Sequence, residues 1–268
     1  MKLDGKVAIV TGGARGNGLA SALALAGEGA DIALLDICRD IDTVPYPLSD
    51  QVKLDDAVQQ IKALGRNAIG VACDVRSEAD VVAAVQQVIE AFGHVDILVN
   101  NAGVTSLTAV VDMPEEEWDN LVDTHLKGAF LCSKHVVRHM IEQHSGKVVN
   151  IGSVGSFKGF GLGAHYSAAK HGMLGFTKSL AMEVADHNIN VNAVCPGTVW
   201  TDMMIGLVNS LDMDQEEAQE QFTMDHLMNG DHPITSQDVG NAVLWLCTED
   251  SRNTTGFALG VDSGWLAH

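Results

Sequence analysis

Basic residues are scarce in this chain. Its 16 lysines and arginines stand against 35 aspartates and glutamates, a formal net charge of −19. Such a surface repels phosphate backbones and anionic headgroups, so neither nucleic acid nor a membrane is expected as the main partner. No run of about eighteen apolar residues is present, and no signal-like apolar block opens the chain, which points to a soluble, cytoplasmic protein. Cysteine is also sparse. Cys38, Cys73, Cys132, Cys195 and Cys247 are odd in number and never fall in a C-x-x-C spacing, so reduced core thiols are expected rather than disulfides. His135 and His139 share a helical face but have no third ligand near them, so no metal is expected. What is abundant is apolar residues, 46% of 268, against 19% charged, enough for a sizeable core.

Short apolar runs alternate with helical stretches. Residues 6–10, 31–35, 68–73, 95–99, 147–151, 189–194 and 257–261 read as strands buried on both faces. Residues 19–28, 53–64, 79–92, 114–143, 164–183 and 236–248 read as helices between them. The alternation predicts an α/β chain: one Rossmann-type domain over 1–268, with a doubly wound, seven-stranded parallel sheet. Residues 1–150 form mainly its dinucleotide-binding half, and 150–201 a catalytic segment. Residues 202–233, rich in methionine and acid, form a small helical substrate lid. Residues 38–51 break the alternation. Pro45 and Pro47 preclude a regular helix there, so an inserted loop is expected.

Ligands bind such sheets at the carboxyl ends of the strands, and several distinctive features gather there. After the first strand, Gly12, Gly16 and Gly18, with Arg15 and Asn17 among them, permit a tight turn and close approach of a pyrophosphate to a helix start. Asp36 ends the second strand, where a carboxylate binds adenosine ribose hydroxyls and repels a 2′-phosphate. NAD is therefore expected rather than NADP, although Arg39 lies close by. Asp74 and Val75 follow the third strand, where an acid can meet an adenine amino group. Asn100, Asn101, Ala102 and Gly103 follow the fourth, and their small residues allow close backbone approach.

Tyr166 and Lys170 are four residues apart on a helix and leave one face of it. Alone, such a pair is ordinary. A phenol titrating near ~10 is a poor base, but a neighbouring ammonium favours its phenolate. Ser153, at the end of the fifth strand, can hold a substrate oxygen while Tyr166 exchanges its proton.

On these motifs the chain resembles a short-chain dehydrogenase/reductase: Thr-Gly-x-x-x-Gly-x-Gly at 11–18, Asn-Asn-Ala-Gly at 100–103, Ser153, Tyr166-x-x-x-Lys170, and Pro196-Gly197 with Thr201. The resemblance implies that Tyr166 is the general acid/base and that Ser153 orients the substrate oxygen. It implies that Lys170 binds the nicotinamide ribose and lowers the tyrosine pKa. Val199 and Thr201 match positions whose groups hold the nicotinamide carboxamide, and Pro196 and Gly197 are also implied in the cofactor site. A homotetramer formed through the long helices carrying residues 118–143 and 166–183 is also implied. The insertion resembles that of the carveol-dehydrogenase-like branch, in which it covers the cofactor and NAD is often held without exchange. His125 stands where relatives usually carry an asparagine that holds a proton-relay water. It is expected to act as a relay titrating near neutrality, or else to be a core histidine satisfied by backbone.

The substrate wall is expected from Phe157, Phe160, Leu162, Val199, Trp200, Met203, Met204 and Leu207. No lysine or arginine falls between Thr198 and Asp231. Such a wall suits an apolar, cyclic, monoterpenoid-type alcohol or ketone and leaves a charged substrate unpaired. The competing expectation is that Trp200 and the methionines only cement the lid.

Overall fold

The computed structural model describes residues 1–228 and 233–267. Its centre is a parallel sheet of β1 (Val7–Thr11), β2 (Asp31–Asp36), β3 (Ala68–Ala72), β4 (Ile97–Asn100), β5 (Gly146–Ile151), β6 (Ile189–Pro196) and β7 (Ala258–Val261). The strand order is β3-β2-β1-β4-β5-β6-β7. The winding reverses between β1 and β4, so their carboxyl ends flank an open crevice.

The apolar runs are continuous because helices cover both faces. Ala8 and Val10 point into one core with α1 (Gly16–Gly27), α2 (Gln51–Ala63) and α9 (Ser236–Cys247), through Leu25, Leu54, Ile61 and Val243. Val7 and Ile9, on the opposite face, join a second core with α3 (Glu78–Phe92), α5 (Gly128–Gln143) and α6 (Ala164–Val184), through Val85, Val136, Met140 and Val184. Cys73, Cys132, Cys195 and Cys247 are buried free thiols in this packing, and Cys38 is half-buried.

One expected element differs. The stretch 114–143 is not one regular helix: α4 (Glu115–Val122) passes through a π turn at Asp123–Lys127 before α5. A π turn holds one extra residue, which lets His125 be presented inward without ending the helix. The segment expected as a lid folds into the helices α7 (Asp202–Ser210) and α8 (Gln215–Thr223), and its residues 229–232 lie outside the described residues. Residues 37–50 form the irregular insertion, ended by Asp50, whose side chain accepts from the Lys53 amide to cap α2.

Candidate active site

The glycine turn is built by close approach. Gly12 has φ +61, and a Cβ on Gly18 would run into the Gly12 carbonyl. Asn101 locks this turn from β4: its Nδ2 donates to the carbonyls of Thr11 and Gly12, each at 3.0 Å. The Thr11 hydroxyl oxygen accepts from the Asn101 and Ala102 amides at 3.0 Å. The crevice beside it is lined by Gly12, Arg15, Asn17, Asp36, Asp74, Val75, Asn101, Ala102, Gly103, Thr201 and Met203. Gly18 supports the turn from beneath.

Asp36 is buried, and its carboxylate accepts from the Ala14 amide at 3.1 Å. Burial raises its pKa, against the lowering by nearby amides and Arg15. Arg39 does not reach across to it: the guanidinium donates to Asp74 at 2.8 Å. Asp74 lines the same crevice. Both its oxygens are engaged by Arg76, at 2.9 and 2.7 Å, and one also by Arg39. It thereby holds two guanidinium groups in this wall.

The insertion supplies groups that no local pattern marks. Ile41, Leu48 and Ser49 line the same crevice. Tyr46, between the two prolines, is buried, and its hydroxyl oxygen accepts from the Thr105 amide at 2.8 Å. Its ring packs on Gly206 of α7, where a Cβ would come within 2.6 Å of the Tyr46 Cβ. Arg15 donates to the Pro47 carbonyl at 3.0 Å and pairs loosely with Asp202 of α7 at 3.5 Å. The loop is thereby fastened to the glycine turn, the segment after β4 and the lid. The only sequence trace of this is that Tyr46 is one of two tyrosines in the chain.

Ser153 follows β5 in a capping box. Its hydroxyl oxygen accepts from the Gly155 amide at 3.0 Å, and the Ser153 amide donates to the Ser156 hydroxyl at 3.2 Å. That arrangement leaves the Ser153 hydroxyl proton free to point at Tyr166. Tyr166 lies on the first turn of α6. Its pKa is raised by burial, and its interaction with Ser153 pulls the other way. Desolvation of the phenolate is the larger of these two effects. Lys170 is buried, donates to the Ile151 carbonyl at 2.6 Å, and lies 5.6 Å from the Tyr166 ring centre. Burial brings its pKa down to about 8.

His125 packs edge-on against Tyr166, with ring centres 5.5 Å apart. Its Nε2 lies 2.7 Å from the Val104 carbonyl and 3.1 Å from the Val104 amide. The shorter contact assigns Nε2 as donor. Nδ1 is left without a partner among the described residues. Burial, then the nearby Lys170, hold its pKa well below the ordinary histidine value. This direction favours the expected core histidine satisfied by backbone over a relay titrating near neutrality. Gly103 makes room for it, since a Cβ there would fall 2.5 Å from the ring.

The substrate wall is divided. Phe160, Trp200, Met203 and Met204 are half-buried, as an accessible wall requires. Val199 and Leu207 are instead sealed in the interior, with only 6% and 3% of their surface exposed. Phe157 and Leu162 stand out on the surface. Phe160 lies beside Tyr166, since both rings border the space over Gly155. Its far side meets Trp265 at 6.0 Å between ring centres, and Trp265 meets His226 at 5.2 Å. These two aromatics, from the chain's last turn and the segment after α8, are absent from the sequence expectation because no motif neighbours them. Pro196 ends β6, and the amide of Gly197 after it donates to the Val261 carbonyl at 2.9 Å at the start of the turn leading to Thr201. Among the described residues no cluster of side chains could hold a metal, and no helix is long and apolar enough to cross a membrane.

A doubly wound parallel sheet with a glycine turn and a buried carboxylate at its crevice, and a serine, a tyrosine and a lysine beside it, is the framework of a nucleotide-dependent oxidoreductase of the α/β class. The family model described as short chain dehydrogenase matches residues 6–211. The chain belongs to that family. It is 36% identical over 271 residues to a (−)-trans-carveol dehydrogenase of Rhodococcus erythropolis, covering 98% of each chain. It is 34% identical to a 2-dehydro-3-deoxy-D-gluconate 5-dehydrogenase of Escherichia coli, over 99% of this chain and 97% of that one. Carveol dehydrogenase from Mycobacterium avium, solved in complex with NAD, superposes with a TM-score of 0.93 at 34% identity, covering 100% of this chain and 99% of the other.

Proposed function

We propose that this chain is an NAD-dependent dehydrogenase interconverting an apolar, cyclic secondary alcohol of monoterpenoid type and its ketone. The observation that carries this reading is the meeting of Ser153, Tyr166 and Lys170 at the end of β5, beside the crevice that holds Asp36. The residues fit the cofactor: a glycine turn so closely packed that a Cβ on Gly18 would strike the Gly12 carbonyl, and a buried carboxylate beside which Arg39 is held by Asp74. Gly12, Asn17, Asp36, Val75, Ala102 and Thr201 would hold NAD, and its nicotinamide would supply the hydride-accepting chemistry.

The chain's own groups do the rest. Ser153 donates to the alcohol oxygen. Tyr166, as phenolate, takes the hydroxyl proton as the carbonyl forms, and in reduction it returns that proton. Lys170, charged, favours the phenolate and holds the nicotinamide ribose. Phe160, Trp200, Met203 and Met204 exclude water and bury the ring, at roughly 25 cal/mol for each Å² of apolar surface. The absence of any lysine or arginine between Thr198 and Asp231 separates such a substrate from a sugar acid. Assays with carveol-like alcohols, a sugar alcohol and a 3-hydroxyacyl thioester, each with NAD and NADP, test the assignment. The cyclic alcohol with NAD is expected to give the highest kcat/KM; faster turnover of a polar substrate, or a preference for NADP, contradicts it.

A second reading is favoured by the three fastenings of the insertion, through Tyr46, Arg15 and the face of α7. On that reading NAD stays bound between turnovers and its electrons leave to a separate redox carrier. The protein is proposed to act in the cytoplasm as a homotetramer, with exposed Trp118, Phe130 and Met182 on α4, α5 and α6 supporting helix-mediated assembly.

A further inference from the structure

Tyr166 sits on a helix turn that lacks the usual anchors. No side chain caps α6 at Gly163, and its first turn carries no acid. Uncapped amides at a helix start leave that turn prone to fraying. A fraying turn here would carry the reacting phenol with it.

A buried polar cluster next to this turn lies outside the lining of the crevice. His165, immediately before Tyr166, is fully buried. Its Nε2 lies 2.8 Å from the Ser106 hydroxyl. Ser106 donates to Glu117 at 2.6 Å, and Thr108 donates to the same carboxylate oxygen at 2.7 Å. Since the Ser106 proton goes to Glu117, Nε2–H of His165 is the donor to Ser106. The Glu117 carboxylate itself lies 3.6 Å from Nε2. Burial keeps His165 below the ordinary histidine value despite this carboxylate.

The cluster joins three elements. Glu117 is on α4, Ser106 and Thr108 are on the segment after β4, and His165 is on α6. The Thr108 amide also donates to the Leu162 carbonyl at 2.9 Å, just ahead of the helix. A carboxylate beside the first turn of α6 complements the positive end of its dipole from outside. The same helix, continuing into its π turn, presses His125 against the Tyr166 ring. The helix that carries Glu117, with its π turn, thus meets both His165 and Tyr166 at this start of α6.

We propose that Glu117, acting through Ser106 and His165, is a positioning residue that anchors the uncapped first turn of α6 and sets the seat of Tyr166. The inference rests on Tyr166 being the proton-transfer group. What Glu117 supplies is an acceptor for two hydroxyls, which an amide oxygen also supplies and a methyl group does not.

The test compares Glu117→Ala, Ser106→Ala and Glu117→Gln in the full-length protein. In the two alanine variants kcat for a secondary alcohol is expected to fall about tenfold or more, with KM for alcohol and for NAD within about twofold of wild type. Amide hydrogen exchange is expected to quicken over residues 161–168 while the peptides of α1 and β1 keep wild-type rates. Glu117→Gln is expected to retain most of kcat and wild-type exchange. Unchanged kcat in Glu117→Ala, unchanged exchange at this turn, or a glutamine variant as impaired as the alanine variant overturns the proposal. If the wild type oxidises no secondary alcohol, the functional reading fails, and the exchange measurement alone decides whether Glu117 anchors the turn.

Discussion

The hydroxyl oxygen of Tyr46, in the insertion after β2, accepts a hydrogen bond from the amide of Thr105, in the segment after β4, at 2.8 Å. This buried contact ties the crevice's outer loop to the segment that borders the catalytic residues. Its ring rests on Gly206, so the lid is held by the same side chain.

Removing the hydroxyl as Tyr46→Phe leaves the half-buried Thr105 amide without this partner, a loss of about 1 kcal/mol. NAD is expected to dissociate several-fold faster, with little change in kcat once NAD is saturating. Stopped-flow displacement of NAD, followed by tryptophan fluorescence, measures it. An unchanged rate would show that the loop does not retain the cofactor.

His125 is expected to leave no mark on the pH–rate profile between about pH 6 and 8. Burial already keeps it neutral there. His125→Asn, which can keep a bond to the Val104 carbonyl, should hold kcat within about threefold, whereas His125→Leu leaves that carbonyl unpaired and should lower it further. Rates measured across the pH range for both variants decide the point. Loss of an inflection near neutrality in His125→Asn would restore the relay.

Much of the crevice is legible in the sequence because it is local. Gly12 to Gly18 share one turn, Asp36 ends its strand, and Tyr166 and Lys170 share a helix face, so spacing alone places them. What spacing does not carry is depth. Leu207 and Met203 sit on one short helix, yet one is sealed and the other lines the crevice. The net direction of the Tyr166 shift depends on desolvation, which is a property of the packed interior. Tyr46, Trp265 and Glu117 act through partners 59, 105 and 48 residues away in the chain, counted to Thr105, Phe160 and His165, and no local window contains such pairs.

Lys170 is predicted to reduce stability for the sake of function. At about 1.4 kcal/mol for each tenfold change, the distance from 10.5 to about 8 corresponds to roughly 3 kcal/mol of burial cost. The sign follows from proton counting. Between about 8 and 10.5 the unfolded chain holds a proton that the folded one has released, so the cost is full below pH 8 and fades as pH rises toward 10.5. Lys170→Met should therefore have the higher Tm at pH 7 and lose that advantage above pH 8. Thermal unfolding of both proteins across this range tests it, and a pH-independent difference would contradict it.

The central claim is that Tyr166 moves the proton of a secondary alcohol at an NAD site. The most direct measurement is the initial rate of NADH formation from a carveol-like cyclic alcohol, compared between wild type and Tyr166→Phe, both shown to bind NAD. The wild type should form NADH, as continuous turnover or, if the cofactor is retained, as a single equivalent per site. Tyr166→Phe should be slower by about a thousandfold or more, within the range of 10²–10⁴ that general acid–base groups contribute and beyond it where the phenol also orients the oxygen. A phenylalanine variant that forms NADH at the wild-type rate would contradict the account.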